Sequence, residues 1–141
     1  MSPRVVLVSL GATAPGEALL AGVERLRADG ATVHLLSRVG PASALAAALD
    51  GTSAVGHGAI GRRSGGTISA GKLKLDPHRL PGAARVVLGR RSRALLRGAD
   101  ALVAVDAAAL PAVWLAARTV NRRAIAVNGL PAALTRQSQN S

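Results

Sequence analysis

The stretch Asp100-Ala101-Leu102-Val103-Ala104-Val105-Asp106-Ala107-Ala108-Ala109-Leu110-Pro111-Ala112-Val113-Trp114-Leu115-Ala116-Ala117-Arg118 decides the fold. Ala101–Val105 is a short unbroken apolar run and reads as a strand buried on both faces. The second half is Ala-rich. Pro111 suits a first helical turn, where a missing N–H is harmless. The spacing predicts a helix over Leu110–Val120. One carboxylate, Asp106, stands at the join. Two readings of it stay open: an N-cap for the following helix, or a base or hydroxyl ligand at a strand end.

Outward from this stretch the same alternation recurs. Arg4–Leu10 is a β-branched run bounded by Pro3 and Gly11, another buried strand. The loop Gly11-Ala12-Thr13-Ala14-Pro15-Gly16 leads into a predicted helix, Glu17–Asp29. Its apolar positions Leu19, Leu20, Val23 and Leu26 fall at helical spacing, and Gly30 closes it as a C-cap. Thr32–Ser37 reads as a second strand and Pro41–Leu49 as a second helix. Downstream, Ala124–Val127 reads as the last strand, Asn128-Gly129 as a turn, Leu130–Leu134 as one helical turn, and Thr135–Ser141 as a frayed polar tail. Strand–helix alternation with short connections is the pattern of a parallel sheet with right-handed crossovers. The expected fold is therefore a three-layer, Rossmann-like α/β domain with a parallel sheet of about five strands over residues 1–134.

The middle breaks the rhythm. Seven glycines lie between Gly51 and Gly71. Residues 51–78 read as a long Gly-rich basic loop, with a third strand placed at Ser53–Val55 or Ala59–Ile60 and a basic helix following over Leu80–Arg97. Long loops of this kind usually carry function or disorder.

Composition narrows the classes. The chain has 141 residues, 49% of them hydrophobic, with one Trp and no Phe, Tyr or Cys. Disulfides and zinc–thiolate sites are excluded. The core must come from Val, Leu, Ile and Ala. No apolar run approaches the roughly 18 residues of a membrane span. The run after Arg4 is too short for a secretory signal, so a cytoplasmic location is expected. Lys and Arg number 18 against 7 acids, a net charge of +11. Residues 62–97 hold ten basic residues and one acid, so they carry nine of those eleven charges. Such a field attracts phosphates, nucleic acid or an anionic membrane surface; the plainer reading is a solvated Arg-rich face.

Motifs are sparse. The Gly11–Gly16 turn opens a helix, whose N–H groups favour anions, but it has neither dinucleotide spacing nor a P-loop, since Glu17 stands where the P-loop Lys would be. A plain tight turn is the alternative. No serine-hydrolase elbow is present. His34 reads as a partly buried strand histidine. His57 lies between two glycines beside Arg62-Arg63, and His78 at a loop–helix junction. Together the three make no metal pattern, and no cofactor is expected. Trp114 reads as core, with an interface anchor as the alternative. A core Trp leaves no stacking surface for single-stranded nucleic acid, and no sequence-specific nucleic-acid motif is visible.

Asp100–Asp106 followed by Leu110–Arg118 resembles the acceptor-side half of GT-B-fold glycosyltransferases, in the retaining family of bacterial sugar and mannosyl transferases. That family has a strand running into Leu-Pro-Ala and an Ala-rich helix, preceded by a basic helix like Arg90–Ala99 and followed by a strand and turn like Ala124–Gly129. Arg4–Asp29 is similar to the strand, Gly-containing loop and helix that open that half. Two departures stand out. Val103 and Val105 occupy the places of the family's strand-end histidines, leaving Asp106. The nucleotide-sugar half lies outside the resemblance. The resemblance implies an acceptor cleft lined by Gly11, Thr13, Gly16 and Asp106, with Asp106 as the catalytic candidate and His57, Arg62 and Arg63 as a lid. It also implies a partner chain that carries the nucleotide sugar, with a sugar or phosphate-bearing ligand. The alternatives are a non-catalytic, oligomerising interaction module with a basic docking segment, or a phosphate- or nucleotide-binding regulator.

Overall fold

The structure, a computed structural model, describes residues 2–12, 15–55, 68–70, 73–75 and 89–140. Its centre is a five-stranded, all-parallel sheet of β1 (Arg4–Ser9), β2 (Thr32–Ser37), β3 (Gly51–Ala54), β6 (Ala101–Ala104) and β7 (Ile125–Asn128), in the order β3-β2-β1-β6-β7. β4 (Ile68–Ala70) and β5 (Leu73–Leu75) form a separate antiparallel pair. One sheet face is covered by α1 (Leu20–Ala28), α2 (Ser43–Ala48) and α5 (Leu130–Asn140), which bring Val23, Leu26, Leu45, Leu130 and Ala133 onto Val5, Leu7, Val33, Leu35 and Val103. The other is covered by α3 (Arg90–Arg97) and α4 (Leu110–Thr119), through Leu96, Ala112, Val113 and Ala116 on Val6, Val8, Leu102 and Ala104. This is the expected three-layer, Rossmann-like α/β fold.

The central strand shows why the sequence folds this way. From Val5 to Ser9 every residue of β1 is buried. A strand buried on both faces needs apolar side chains at odd and even positions alike, and a β-branched run supplies them. Helix packing is close because the contacting residues are small. A Cβ on Gly22 would fall 1.9 Å from Cδ2 of Leu130, so α1 and α5 meet there without room for one. The turns at Gly30 (φ +86°) and Gly129 (φ +85°) use the left-handed region open to glycine.

Several elements differ from the sequence expectation. The helix after the first loop opens with a 3₁₀ turn, Glu17–Leu19, before α1. The segment 51–78 is not one loop, because it contains β3 and the β4–β5 pair. β3 begins at Gly51, which lies opposite His34 in register; a Cβ there would come 2.6 Å from His34 Nδ1. A glycine that would end most strands is thus required at this edge. The predicted strand at Ala59–Ile60 and the 80–88 part of the predicted basic helix lie outside the described residues. α5 continues to Asn140 where a frayed tail was expected. Its start is anchored by the buried Leu130 and Ala133, and the hydroxyls of Thr135 and Ser138 bond back to the carbonyls of Pro131 and Thr135.

Asn121, in the α4–β7 connection, ties three segments together. Its Nδ2 donates to the carbonyls of Leu96 at 2.8 Å, Arg97 at 3.2 Å and Ala99 at 2.7 Å, closing the end of α3. Its Oδ1 accepts from the N–H groups of Arg123 and Ala124 at 3.2 and 3.1 Å. Asn121→Ala strips partners from both sides and should lower stability by about 2 kcal/mol, measured as a drop in the urea midpoint at unchanged m.

Candidate functional site

The order β3-β2-β1-β6-β7 reverses direction between β1 and β6. In open α/β sheets the ligand crevice lies at such a switch point, outside the carboxyl ends of the strands. Here those ends are Ser9–Gly11 after β1 and Val105-Asp106 after β6.

Asp106 dominates this junction. Its Oδ2 accepts from the Ser9 hydroxyl at 2.8 Å and the Gly11 N–H at 3.0 Å. Its Oδ1 accepts from the Ala109 N–H at 2.9 Å and the Leu10 N–H at 3.3 Å. The bond to Ala109 makes Asp106 the N-cap of the 3₁₀ turn Ala107–Ala109 that leads into α4. The other three bonds reach to the end of the adjacent strand β1 and the loop after it. The cap reading is therefore correct and incomplete, because the same carboxylate also closes the β1–β6 junction. Both oxygens carry two donors each, so action as a base would require releasing one of them.

The sequence-nominated residues are brought together only in part. Gly11 lies against Asp106, and a Cβ on it would come 3.1 Å from Oδ2. Gly16 is the N-cap of the 3₁₀ turn Glu17–Leu19 and provides no side-chain cap. Thr13, His57, Arg62 and Arg63 lie outside the described residues. His34 sits mid-strand on β2, half-buried, with Gly51 beside its ring. Among the described residues there is no group of three or more His, Cys, Asp or Glu placed to hold a metal.

Two features were missed from sequence. The first is the paired use of carboxylates. Asp100, immediately before β6, accepts from the Arg4 N–H at 2.7 Å while its own N–H donates to the Arg4 carbonyl. Asp50, immediately before β3, does the same with Val33, accepting at 2.8 Å. An Asp directly before a strand was the available signal. The second is Trp114, expected in the core and found 56% exposed. The buried face of this segment is Ala109, Ala112, Val113 and Ala116, at spacings of three, four and seven. Trp114 lies off that face, with the Arg118 guanidinium 4.2 Å from its ring centroid. An exposed Trp114 ring, unlike a core one, is a surface on which a base could stack.

No family model matches this sequence, and no curated protein or solved structure matches it significantly. No helix among the described residues is long and apolar enough to cross a membrane.

Asp106→Ala would remove the carboxylate partner of the Leu10 and Gly11 N–H groups and the side-chain cap on Ala109, whose N–H keeps the Asp106 carbonyl at 3.1 Å. The expected loss is about 2–4 kcal/mol in denaturant unfolding. Asp106→Asn, which keeps one carbonyl oxygen, should lose less.

Proposed function

We propose that this chain is the acceptor-side domain of a two-chain sugar transferase, binding a hydroxyl-bearing acceptor in the crevice above β1 and β6. The observation that carries the reading is the position of Gly11 and Asp106. They were nominated from separate parts of the sequence for one acceptor cleft, and they lie in contact at the switch point of the sheet. The Rossmann-like fold is compatible with half of a GT-B enzyme, although fold alone does not assign activity. In this reading Asp106 is a positioning residue. It holds the Ser9–Gly11 backbone that forms the cleft floor, and sugar transfer depends on a second chain to bind the nucleotide diphosphate and stabilise the leaving group. Gly16, Thr13, His57, Arg62 and Arg63 remain part of the proposal as cleft and lid residues.

A second reading is favoured by one specific observation. All the hydrogen bonds that Asp106 makes are structural, which suits a non-catalytic interaction module equally well. The test is affinity purification of a tagged copy from its own host, followed by native mass spectrometry and assay with sugar nucleotides. The transferase reading expects a stoichiometric partner with a nucleotide-sugar domain, and sugar transfer by the pair but by neither chain alone. A monomer or closed homo-oligomer with no such partner, inactive toward sugar nucleotides, contradicts it and leaves the interaction module.

A further inference from the structure

The outer side of α4 changes character along its length. Leu110 (38% exposed), Pro111 and Trp114 form an exposed apolar half, and Arg118, Arg122 and Arg123 continue it as a basic half. A spacing of four aligns Leu110, Trp114 and Arg118 in one row. Arg118 is held over the Trp114 ring at 4.2 Å, and Arg122 Nε donates to the Arg118 carbonyl at 3.1 Å. α3 covers the same sheet face and adds exposed Arg90, Arg91 and Arg97.

Among the described residues, no carboxylate forms an ion pair on this side. Of the chain's seven acids, Asp50, Asp100 and Asp106 accept from backbone N–H groups of neighbouring strands. Arg27–Asp50 is the single ion pair among the described residues. The face therefore combines an exposed Trp and Arg, the residue types that dominate interface hot spots, with uncompensated positive charge.

We propose that this face docks an acidic amphipathic helix of another protein. Apolar side chains of the partner would pack on Leu110 and the indole edge of Trp114, and its carboxylates would pair with Arg118, Arg122 and Arg123. Charge selects this occupant over a second copy of the chain, since two molecules of net charge +11 would bring their arginine rows together. The exposed apolar residues Leu110, Pro111 and Trp114 favour an occupant with apolar side chains of its own over a nucleic acid, whose phosphates would engage the arginines alone. The proposal does not depend on the transferase reading, because it concerns α4 and not the crevice.

The test uses the full chain and a fluorescein-labelled synthetic helix of Leu and Glu, with Leu at positions i, i+3 and i+4. Trp114 is the chain's one tryptophan, so its emission reports on the face directly. The expected result is a blue shift of Trp114 emission on binding, with affinity that falls with salt. Trp114→Ala and Arg118→Glu should each weaken binding at least about tenfold by anisotropy while keeping the wild-type melting curve. Leu110→Ser serves as the second apolar variant. Three results would overturn the proposal: no binding, binding equal to that of poly-glutamate and indifferent to Trp114→Ala, or tighter Trp114-dependent binding to phosphatidylglycerol vesicles or single-stranded RNA.

Discussion

The seam between β1 and β6 is the constraint on which the rest of the structure depends. It joins strands 96 residues apart in sequence, and it is where the β3-β2-β1 half of the sheet meets the β6-β7 half. Backbone pairing over Val5–Val8 and Ala101–Ala104 gives the seam its register. Carboxylates fasten it at both ends. Asp100 binds the Arg4 N–H where the strands begin, and Asp106 binds the Leu10 and Gly11 N–H groups where they finish. Bringing such distant segments together has a large loop-closure cost, and charge-assisted bonds to backbone N–H groups are among the stronger means of offsetting it.

This arrangement has a consequence at the surface. Three of the seven acids accept from backbone N–H groups, and among the described residues only Arg27 forms an ion pair with a carboxylate. Asp106 shapes the crevice at the switch point, while α3 and α4 present Arg90, Arg91, Arg97 and Arg118 to solvent.

The parts legible in the sequence are those whose side chains face one environment throughout. β1 and β2 read directly, because a doubly covered strand is apolar at successive positions. β3 did not, because Gly51-Thr52-Ser53-Ala54 forms an edge, and its glycine answers to His34 on the next strand and not to a local rule. α5 was underread because only Leu130 and Ala133 are buried, and its polar remainder resembles a tail. The cap at Asp106 was legible, as one of two readings, from its place just before the helix at Leu110. Its reach to Ser9, Leu10 and Gly11 was not, since nothing local links residues so distant in sequence. Trp114 could have been placed outside by giving weight to the small residues Ala109, Ala112 and Ala116. They, and not the large side chain, form the stripe that lets α4 lie close to the sheet.

Hydrogen exchange at single-residue resolution tests the central claim most directly. If carboxylates fasten both ends of the seam, the amides of Arg4, Leu10 and Gly11 should open only with the global unfolding that exposes Val6 and Leu102. Exchange of Arg4, Leu10 and Gly11 at the rate of an unstructured peptide, while Val6 and Leu102 stay protected, would show that backbone pairing alone holds the two halves together.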